Sequence, residues 1–547
     1  CFNRLKIIDL SEKADQPMLS SEYNTLIMFN GEIYNHVELR KEMISKGVKF
    51  FTNHSDTEVV LNGLSYYGIE FVKRLRGQFS IVFFNKKNNK IYLLNDRLGQ
   101  KPLYYKKEND SLIFSSNLIS LAKSLSSYVI SEENIHEYFL YGIVSSPKTI
   151  FEDIYKVQPA ECIEIEFKNG EVEINNYKYW NPENYLNDES FDDDEFFEIL
   201  NESIKLRSRA DVPIANFLSG GIDSTAIIKN LHDQNQDINS FSVVVDDEKY
   251  NEERWSSEVS EKYKTNHRKV KVNSRLNIND IDLALNSLDE PYSDPSVIPS
   301  FILSKEISKY YKVAISGDGG DELLGGYKRT HIALERSSNL FNFLSKFYKY
   351  YPAFLGTGNF FLSKSKDLNQ AYASFFEDRK LLKLLKIPSN QDSSKIKIDQ
   401  SLDPYKSLLL QDYKYYLPEM MMFKVDRTSM ANSLEVRSPF VDHKLVEYIL
   451  SRKLHIDGNN INKKILKDYI SKDFSSEFVN REKKGFVFDL ENWVYSNIGY
   501  INLLVSSGKF SNNLDLGAIN KLTINKSRIN SHRIWKMFVL EHYLSRI

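Results

Sequence analysis

The chain is expected to hold two domains: an α+β sandwich of antiparallel sheets over residues 1–185, and an α/β domain over residues 190–547 whose parallel, doubly wound sheet gives way to a mainly helical C-terminal part. Three observations predict this. Short β-rich runs separated by turns crowd residues 1–120. Past residue 195, apolar strands alternate with helical stretches, the pattern of a parallel sheet covered by helices. From about residue 330 the spacing is mostly helical. At 547 residues the chain is too long for one ordinary core, which makes a division necessary.

In order, CFNRLKIIDL (1–10) alternates as a strand does. NTLIMFNGEIY (24–34) reads as a strand and turn. HVELRKEMISKG (36–47) has helical spacing and ends at Gly47 as a C-cap; it is the one helical stretch expected in the first 120 residues. FSIVFFNKKNNKIYLLND (79–96) is a hairpin around a Lys/Asn turn, and SLIFSSN (111–117) adds a strand. The acidic stretch 181–196 is a solvated linker running into a helix N-terminus. A helix over 195–207 then precedes the strand PIANFLS (213–219), a Gly-Gly turn and another helix. INSFSVVV (238–245) and KVAIS (312–316) are further buried strands.

Composition narrows the function. Net charge is −2 and the isoelectric point about 6.6, so nothing draws the whole chain to nucleic acid or an anionic membrane. No apolar run approaches the roughly 20 residues a bilayer span needs, and the start lacks the basic–apolar–small order of a signal peptide. Two cysteines, Cys1 and Cys162, provide neither a disulfide framework nor a thiolate zinc site. A cytoplasmic location fits these features best.

The sharpest local signal is FLSGGIDST (217–225). A hydrophobic strand ends in Ser219-Gly220-Gly221, and a helix begins near Asp223. Glycines allow a tight turn and close approach, while backbone N–H groups and a helix N-terminus attract an anion, as for a pyrophosphate. Asp223 and Ser224 also suit plain capping, but capping does not call for Ser-Gly-Gly before it. The loop is not a Walker motif, because the near miss GDELLGGYK has Gly326-Tyr327 where Lys-Ser/Thr belongs. GDGGDE fails the dinucleotide pattern, with Glu322 in place of the third glycine.

Together these stretches carry a family resemblance. The Ser-Gly-Gly-Ile-Asp-Ser loop resembles the PP-loop of ATP pyrophosphatases. With AISGDGGDELLGGY (314–327) and DRTSMANSLEVRSPFVD (426–442) it is similar to the synthetase domain of class B, glutamine-hydrolysing asparagine synthetases. RLKIIDLS (4–11), QPM (16–18), NGEIYN (30–35) and DRLGQKPLYY (96–105) resemble that family's N-terminal glutaminase domain. The likeness covers nearly the whole chain, with the motifs in the family's order. It implies an Ntn glutaminase-type sandwich, incomplete at its start, followed by a PP-loop ATP pyrophosphatase domain. The implied reaction converts aspartate to asparagine through β-aspartyl-AMP, with ATP and Mg²⁺ as cofactors and ammonia from glutamine or from solution. A homodimer is among the partners it allows.

Site residues follow from the same resemblance. Asp223 and Asp321 would hold Mg²⁺, and carboxylates on two strand-end loops suit a hard cation. Leu218, Ser219, Gly220, Gly221, Ser224, Val243, Ser316 and Gly317 would line the nucleotide. Lys463 matches a lysine facing the phosphates, with Lys464 beside it as a rival. Asp318 stands where relatives often carry Glu, with the charge kept. REKKGF (481–486) offers further cations, although Lys483 and Lys484 also read as solvated surface lysines. Glu435 and Arg437 read equally well as a supporting ion pair. Arg4, Ile7, Asn30, Gly31, Glu32 and Asp56 would recognise glutamine, with Asn30 and Gly31 forming an oxyanion hole.

In the resembling family the nucleophilic cysteine lies far upstream of the Arg-Leu-x-Ile-Ile strand, with a His-Arg-Gly-Pro-Asp segment between. Here Arg4 already belongs to that strand. Residues three apart on a strand face opposite sides, so Cys1 is expected to point away from the glutamine that Arg4 would bind and not to be the nucleophile. The sequence thus reads as a fragment of a longer frame. Three other readings stand beside the leading one: a same-fold amidotransferase acting on a sugar or β-lactam precursor, a nucleotide-binding regulator, and a cysteine enzyme using Cys1. DEPYSDPSVIPS (289–300) fits either aspartate or a variant acceptor.

Overall fold

A computed structural model of the chain describes every residue except 1, 109–110, 169–170, 246–250, 273–275, 336–342, 344, 364, 388–393, 455–462, 482–487 and 512–513. The N-terminal half contributes β1 (Met18–Ser20), β2 (Thr25–Ile33), β3 (Gly77–Asn85), β4 (Lys90–Asn95), β5 (Tyr104–Glu108), β6 (Ser111–Ser115), β7 (Tyr155–Lys156), β8 (Glu161–Lys168) and β9 (Glu171–Lys178). They form an antiparallel six-stranded sheet, β1-β2-β3-β4-β8-β9, and a three-stranded sheet, β6-β5-β7. The sheets face each other through Val82, Leu93 and Ile163 on one side and Leu103 and Val157 on the other. The opposite face of the larger sheet, with Phe29, Ile81 and Leu94, packs on Leu39 and Met43 of the helix His36–Ser45 and Val60 and Leu64 of the helix Asp56–Tyr67. Covered on both faces, β3 is buried almost throughout and reads as a continuous apolar run.

The second half builds β10 (Ile214–Phe217), β11 (Asn239–Val245), β12 (Asn266–Val272), β13 (Val313–Ile315) and β14 (Glu435–Arg437) into one parallel sheet ordered β12-β11-β10-β13-β14. The chain winds outward from β10 to β12, then crosses back to β13. The order therefore reverses between β10 and β13, and the strand-end crevice there is where ligands bind in such sheets. Beyond residue 330, β14 is the only strand among the described residues; the rest is helical or irregular, ending in the buried helix Arg528–Leu544. Among the described residues no helix is long and apolar enough to cross a membrane.

Two expectations are corrected. The first 120 residues hold more than one helix, since Asp56–Tyr67 and Leu118–Ser124 are also helical. The alternating segment 4–11 is not a strand. Its backbone turns to Asp211, whose N–H donates to the Ile7 carbonyl (3.0 Å) and whose carboxylate accepts from the Asp9 N–H (2.8 Å), so no ladder partner is engaged. Leu5, Ile7 and Ile8 instead pack on Val313 and Ile214 at the base of the parallel sheet.

Candidate active site

The loop after β10 is built for close approach. Leu218 is tied to β11 through its N–H, which donates to the Phe241 carbonyl (2.7 Å); Val243 continues that strand. Gly220 has φ +72°, and a Cβ there would lie 2.7 Å from the Ser256 nitrogen, so glycine alone fits. The Ser219 hydroxyl accepts from the Gly221 N–H (3.2 Å) and lies 3.2 Å from the Ser224 hydroxyl. Gly221 is the N-cap of the helix Ile222–Asp233, without a side-chain cap of its own. Asp223 and Ser224 face back into the loop and are buried.

The partner loop after β13 carries Ser316, Gly317 and Asp318, and Asp321 sits in the short helix Gly320–Leu324 that follows. Ser316 donates its N–H to the Arg437 carbonyl of β14 (3.0 Å), and its hydroxyl bonds the Asp318 carboxylate (2.8 Å) and the Ser438 hydroxyl (2.8 Å). Asp318 is thereby aimed while staying partly exposed. Gly317 packs against the first turn of the neighbouring helix, with a built Cβ 3.1 Å from the Ser224 nitrogen.

Lys463 joins the two loops. Its ammonium lies 2.6 and 2.5 Å from the Asp223 oxygens and 2.6 Å from Asp321 Oδ1, and the side chain is 5% exposed. Its backbone is left-handed (φ 51°, ψ 37°), a conformation that non-glycine residues hold at a cost and that clusters at functional positions. Gly326 leaves room for the meeting, because a Cβ there would sit 2.0 Å from Asp321 Oδ1 and 2.4 Å from Lys463 Cε. Lys464 pairs instead with Asp468 on the exposed face of the following helix. Glu322, buried beside Asp321 and bonded by the Tyr327 hydroxyl (2.6 Å), is pushed up to about 7 by burial and by the Asp321 charge.

Two carboxylates from separate loops thus converge on one cationic centre. Among the described residues no group of three or more His, Cys, Asp or Glu side chains could hold a metal. Mg²⁺ does not need one, because it is commonly bound by one or two carboxylates together with substrate phosphates and water. The donor set fits the ion.

Arg481 touches the glycine loop, and its only trace in the sequence is its place in the cationic run REKKGF (481–486). Its guanidinium donates to the Gly220 carbonyl (2.6 Å) and lies over the Trp255 and Phe478 rings at 4.9 and 5.1 Å. Lys483 and Lys484 lie outside the described residues. Arg481→Ala should loosen the glycine loop, raising KM for ATP roughly tenfold with KM for the acceptor little changed, as for one lost charge-assisted hydrogen bond. Initial-rate kinetics with each substrate varied would check this, and an unchanged ATP KM would free the loop from Arg481.

In the N-terminal half, Asn30, Gly31 and Glu32 lie along β2, and Asp56 opens the helix Asp56–Tyr67. Asp56 accepts from the Ile33 N–H (3.1 Å) and the Thr57 N–H (2.8 Å). Glu32 is buried with Oε1 unpartnered, and burial together with the Asp56 carboxylate pushes its own carboxyl well above the usual range. Its other oxygen meets Arg437 (3.2 Å), which also pairs with Glu435 (2.8 Å), so the supporting ion pair exists and extends into the N-terminal half. Arg4 donates to the carbonyls of Ile8 (2.8 Å), Asp9 (2.6 Å) and Ser11 (3.0 Å), and is held by its own loop. Cys1 lies outside the described residues.

The segment 289–300 divides by role. Asp289 pairs with Arg427 (2.6 Å); Glu290 accepts from Tyr104 (2.7 Å) and pairs with Lys156 (2.9 Å). With Lys101–Asp426 (2.8 Å), these groups form a buried network between the two halves beside a cavity of about 50 Å³. Its acidic pair was visible in the sequence, but its partners are over 130 residues away.

The asparagine synthase family model matches residues 195–544, and the glutamine amidotransferase domain model matches residues 1–180. The chain is 30% identical over 509 residues to asparagine synthetase [glutamine-hydrolyzing] 1 of Bacillus subtilis (strain 168), covering 90% of this chain and 80% of that protein. It is 33% identical over 390 residues to putative asparagine synthetase [glutamine-hydrolyzing] 2 of Methanocaldococcus jannaschii, covering 67% and 72%. A solved allosteric regulatory enzyme of purine biosynthesis aligns over 38% of the chain at 14% identity and a TM-score of 0.23, too weak a likeness to support an argument. With a family match over most of its length and relatives at 30% identity and above, the chain belongs to the class B, glutamine-hydrolysing asparagine synthetase family.

Proposed function

We propose that the protein makes asparagine from aspartate in an ATP-dependent reaction that yields AMP and pyrophosphate, using ammonia released from glutamine or taken from solution. The observation that carries this reading is the convergence of Asp223, Asp321 and Lys463 at the strand-end crevice between β10 and β13. Glycine-loop N–H groups and Lys463 would hold the phosphates, with Leu218, Val243, Ser316 and Gly317 along the nucleotide. A carboxylate oxygen of aspartate attacks the α-phosphorus, the bond to the β-phosphate breaks, and pyrophosphate leaves. Ammonia then attacks the acyl carbon and AMP departs; Asp318, aimed by the Ser316 hydroxyl, takes the proton that the attacking nitrogen sheds. Mg²⁺, held by Asp223 and Asp321, would neutralise charge on the phosphates. Glu32 and Asp56 would hold glutamine, and Asn30 and Gly31 would stabilise its oxyanion; the unpartnered Glu32 oxygen is suited to an α-ammonium.

Aspartate labelled with ¹⁸O in its side-chain carboxylate tests the chemistry. One label should appear in AMP for each asparagine made. Formation of ADP and phosphate would sink the adenylation step, and an acid other than aspartate driving pyrophosphate release would change the acceptor.

A further inference from the structure

Buried cations in this protein find strong acceptors. Lys156 meets Glu290, Lys101 meets Asp426, and Lys380, with no carboxylate, bonds the carbonyls of Lys349 and Tyr351. Lys424 differs. It is 8% exposed, yet its ammonium reaches only the Ser296 hydroxyl (3.2 Å) and the Met421 sulfur (3.6 Å). Among the described residues no carboxylate lies within 4.0 Å of it. A buried ammonium left with a hydroxyl and a thioether is poorly compensated.

Its surroundings are not closed core. Asp294, Pro295, Ser296, Met420 and Met421 are all half-buried. Asp294 adds the opposite charge: one carboxylate oxygen takes the Ser296 N–H (2.9 Å), while the other lies 3.5 Å from the Tyr292 hydroxyl, at the limit of a hydrogen bond. The neighbourhood leads toward the phosphate loops. Asp294 lies within electrostatic reach of Tyr416, whose ring is 5.4 Å from that of Tyr327, and Tyr327 bonds Glu322 beside Asp321.

We infer that Lys424 and Ser296 bind the non-reacting carboxylate of the acceptor and Asp294 its ammonium, so that the site selects an amino acid with a second carboxylate. The inference rests on the proposed amidation of an acid and names which groups choose that acid. It gives the second half of the segment 289–300 a binding role, in contrast to Asp289 and Glu290.

Calorimetric titration with α,β-methylene-ATP present tests it, using aspartate, succinate (both carboxylates, no amine) and 3-aminopropanoate (amine, one carboxylate). Lys424→Met should weaken aspartate and succinate roughly 10- to 100-fold, the range for one hydrogen bond to a charged group. It should leave 3-aminopropanoate and the nucleotide analogue unchanged. Lys424→Arg should recover part of the loss, and Ser296→Ala should reproduce a smaller share. Equal dicarboxylate affinity in parent and Lys424→Met overturns the assignment, as does failure of the parent to prefer dicarboxylates. So does a parallel loss of nucleotide affinity in a variant that melts normally. Nucleotide products separate the two claims: ADP formation alongside Lys424-dependent dicarboxylate binding would remove the adenylation reading and leave this subsite standing.

Discussion

Lys463→Met should reduce turnover by at least roughly 10²–10³-fold, the scale on which one preorganised charge at a developing anion acts. The side chain touches both carboxylates of the strand-end crevice, at 2.5–2.6 Å. Without it, two carboxylates face each other with less positive charge to meet a pentacoordinate phosphate. Asp223→Asn and Asp321→Asn should lose activity on a similar scale. The double variant Asp223→Asn/Lys463→Met should be little worse than the poorer single one, because groups that act as a unit are not additive. Because the three side chains are buried and mutually paired, each single variant should also lose stability, so turnover is compared at a temperature where every variant is folded. Pyrophosphate release under saturating substrates is the measurement. Near-normal turnover in Lys463→Met would remove this lysine from the chemistry.

What the sequence made legible was local. Ser219-Gly220-Gly221 could be read because a buried strand, a positive-φ glycine and a helix start leave adjacent traces in the chain. The helix His36–Ser45 and its stop at Gly47 were likewise a matter of spacing. The helix Asp56–Tyr67 escaped because Val59-Val60 and Gly63 blur its period, and its burial against the sheet outweighs weak propensity. The segment 4–11 misled in the other direction: alternation is only a precondition for a strand, and pairing depends on a neighbour that this stretch does not have. Lys463 was preferred to its neighbour Lys464 on resemblance alone, because its contact with Asp223, 240 residues away, leaves no local trace in the chain. Lys424 left no signal, since a lysine at a helix start looks the same whether or not a carboxylate waits for it.

The largest effect on stability should come from Asp442→Ala. Asp442 is wholly buried where the halves meet, and one oxygen accepts from Arg76 of the N-terminal half (2.8 Å) and from Arg207 of the second half (2.7 Å). Its other oxygen caps the helix His443–Ser451 through the Lys444 N–H (3.0 Å). Removing it leaves two guanidiniums facing each other without their shared anion. Breaking a buried pair in this way costs about 3–5 kcal/mol, with the lost cap adding about 1 kcal/mol. Asp442→Asn keeps shape and cap and should cost less. The pH dependence distinguishes charge from packing. Against the desolvation that burial imposes, the Arg207 and Arg76 guanidiniums hold the Asp442 carboxyl well below its ordinary range. A carboxyl with a depressed folded-state pKa contributes stability that is fully present above its unfolded value, about 3.9, and is lost as pH falls toward the folded one. The gap between parent and Asp442→Ala in urea unfolding should therefore be flat from pH 7 to pH 5. Below about pH 4 it should narrow by about 1.4 kcal/mol per pH unit. A gap under 1 kcal/mol at pH 7 would mean that Arg76 and Arg207 relax to solvent when the anion is gone, and that the contact between the halves does not depend on their shared partner.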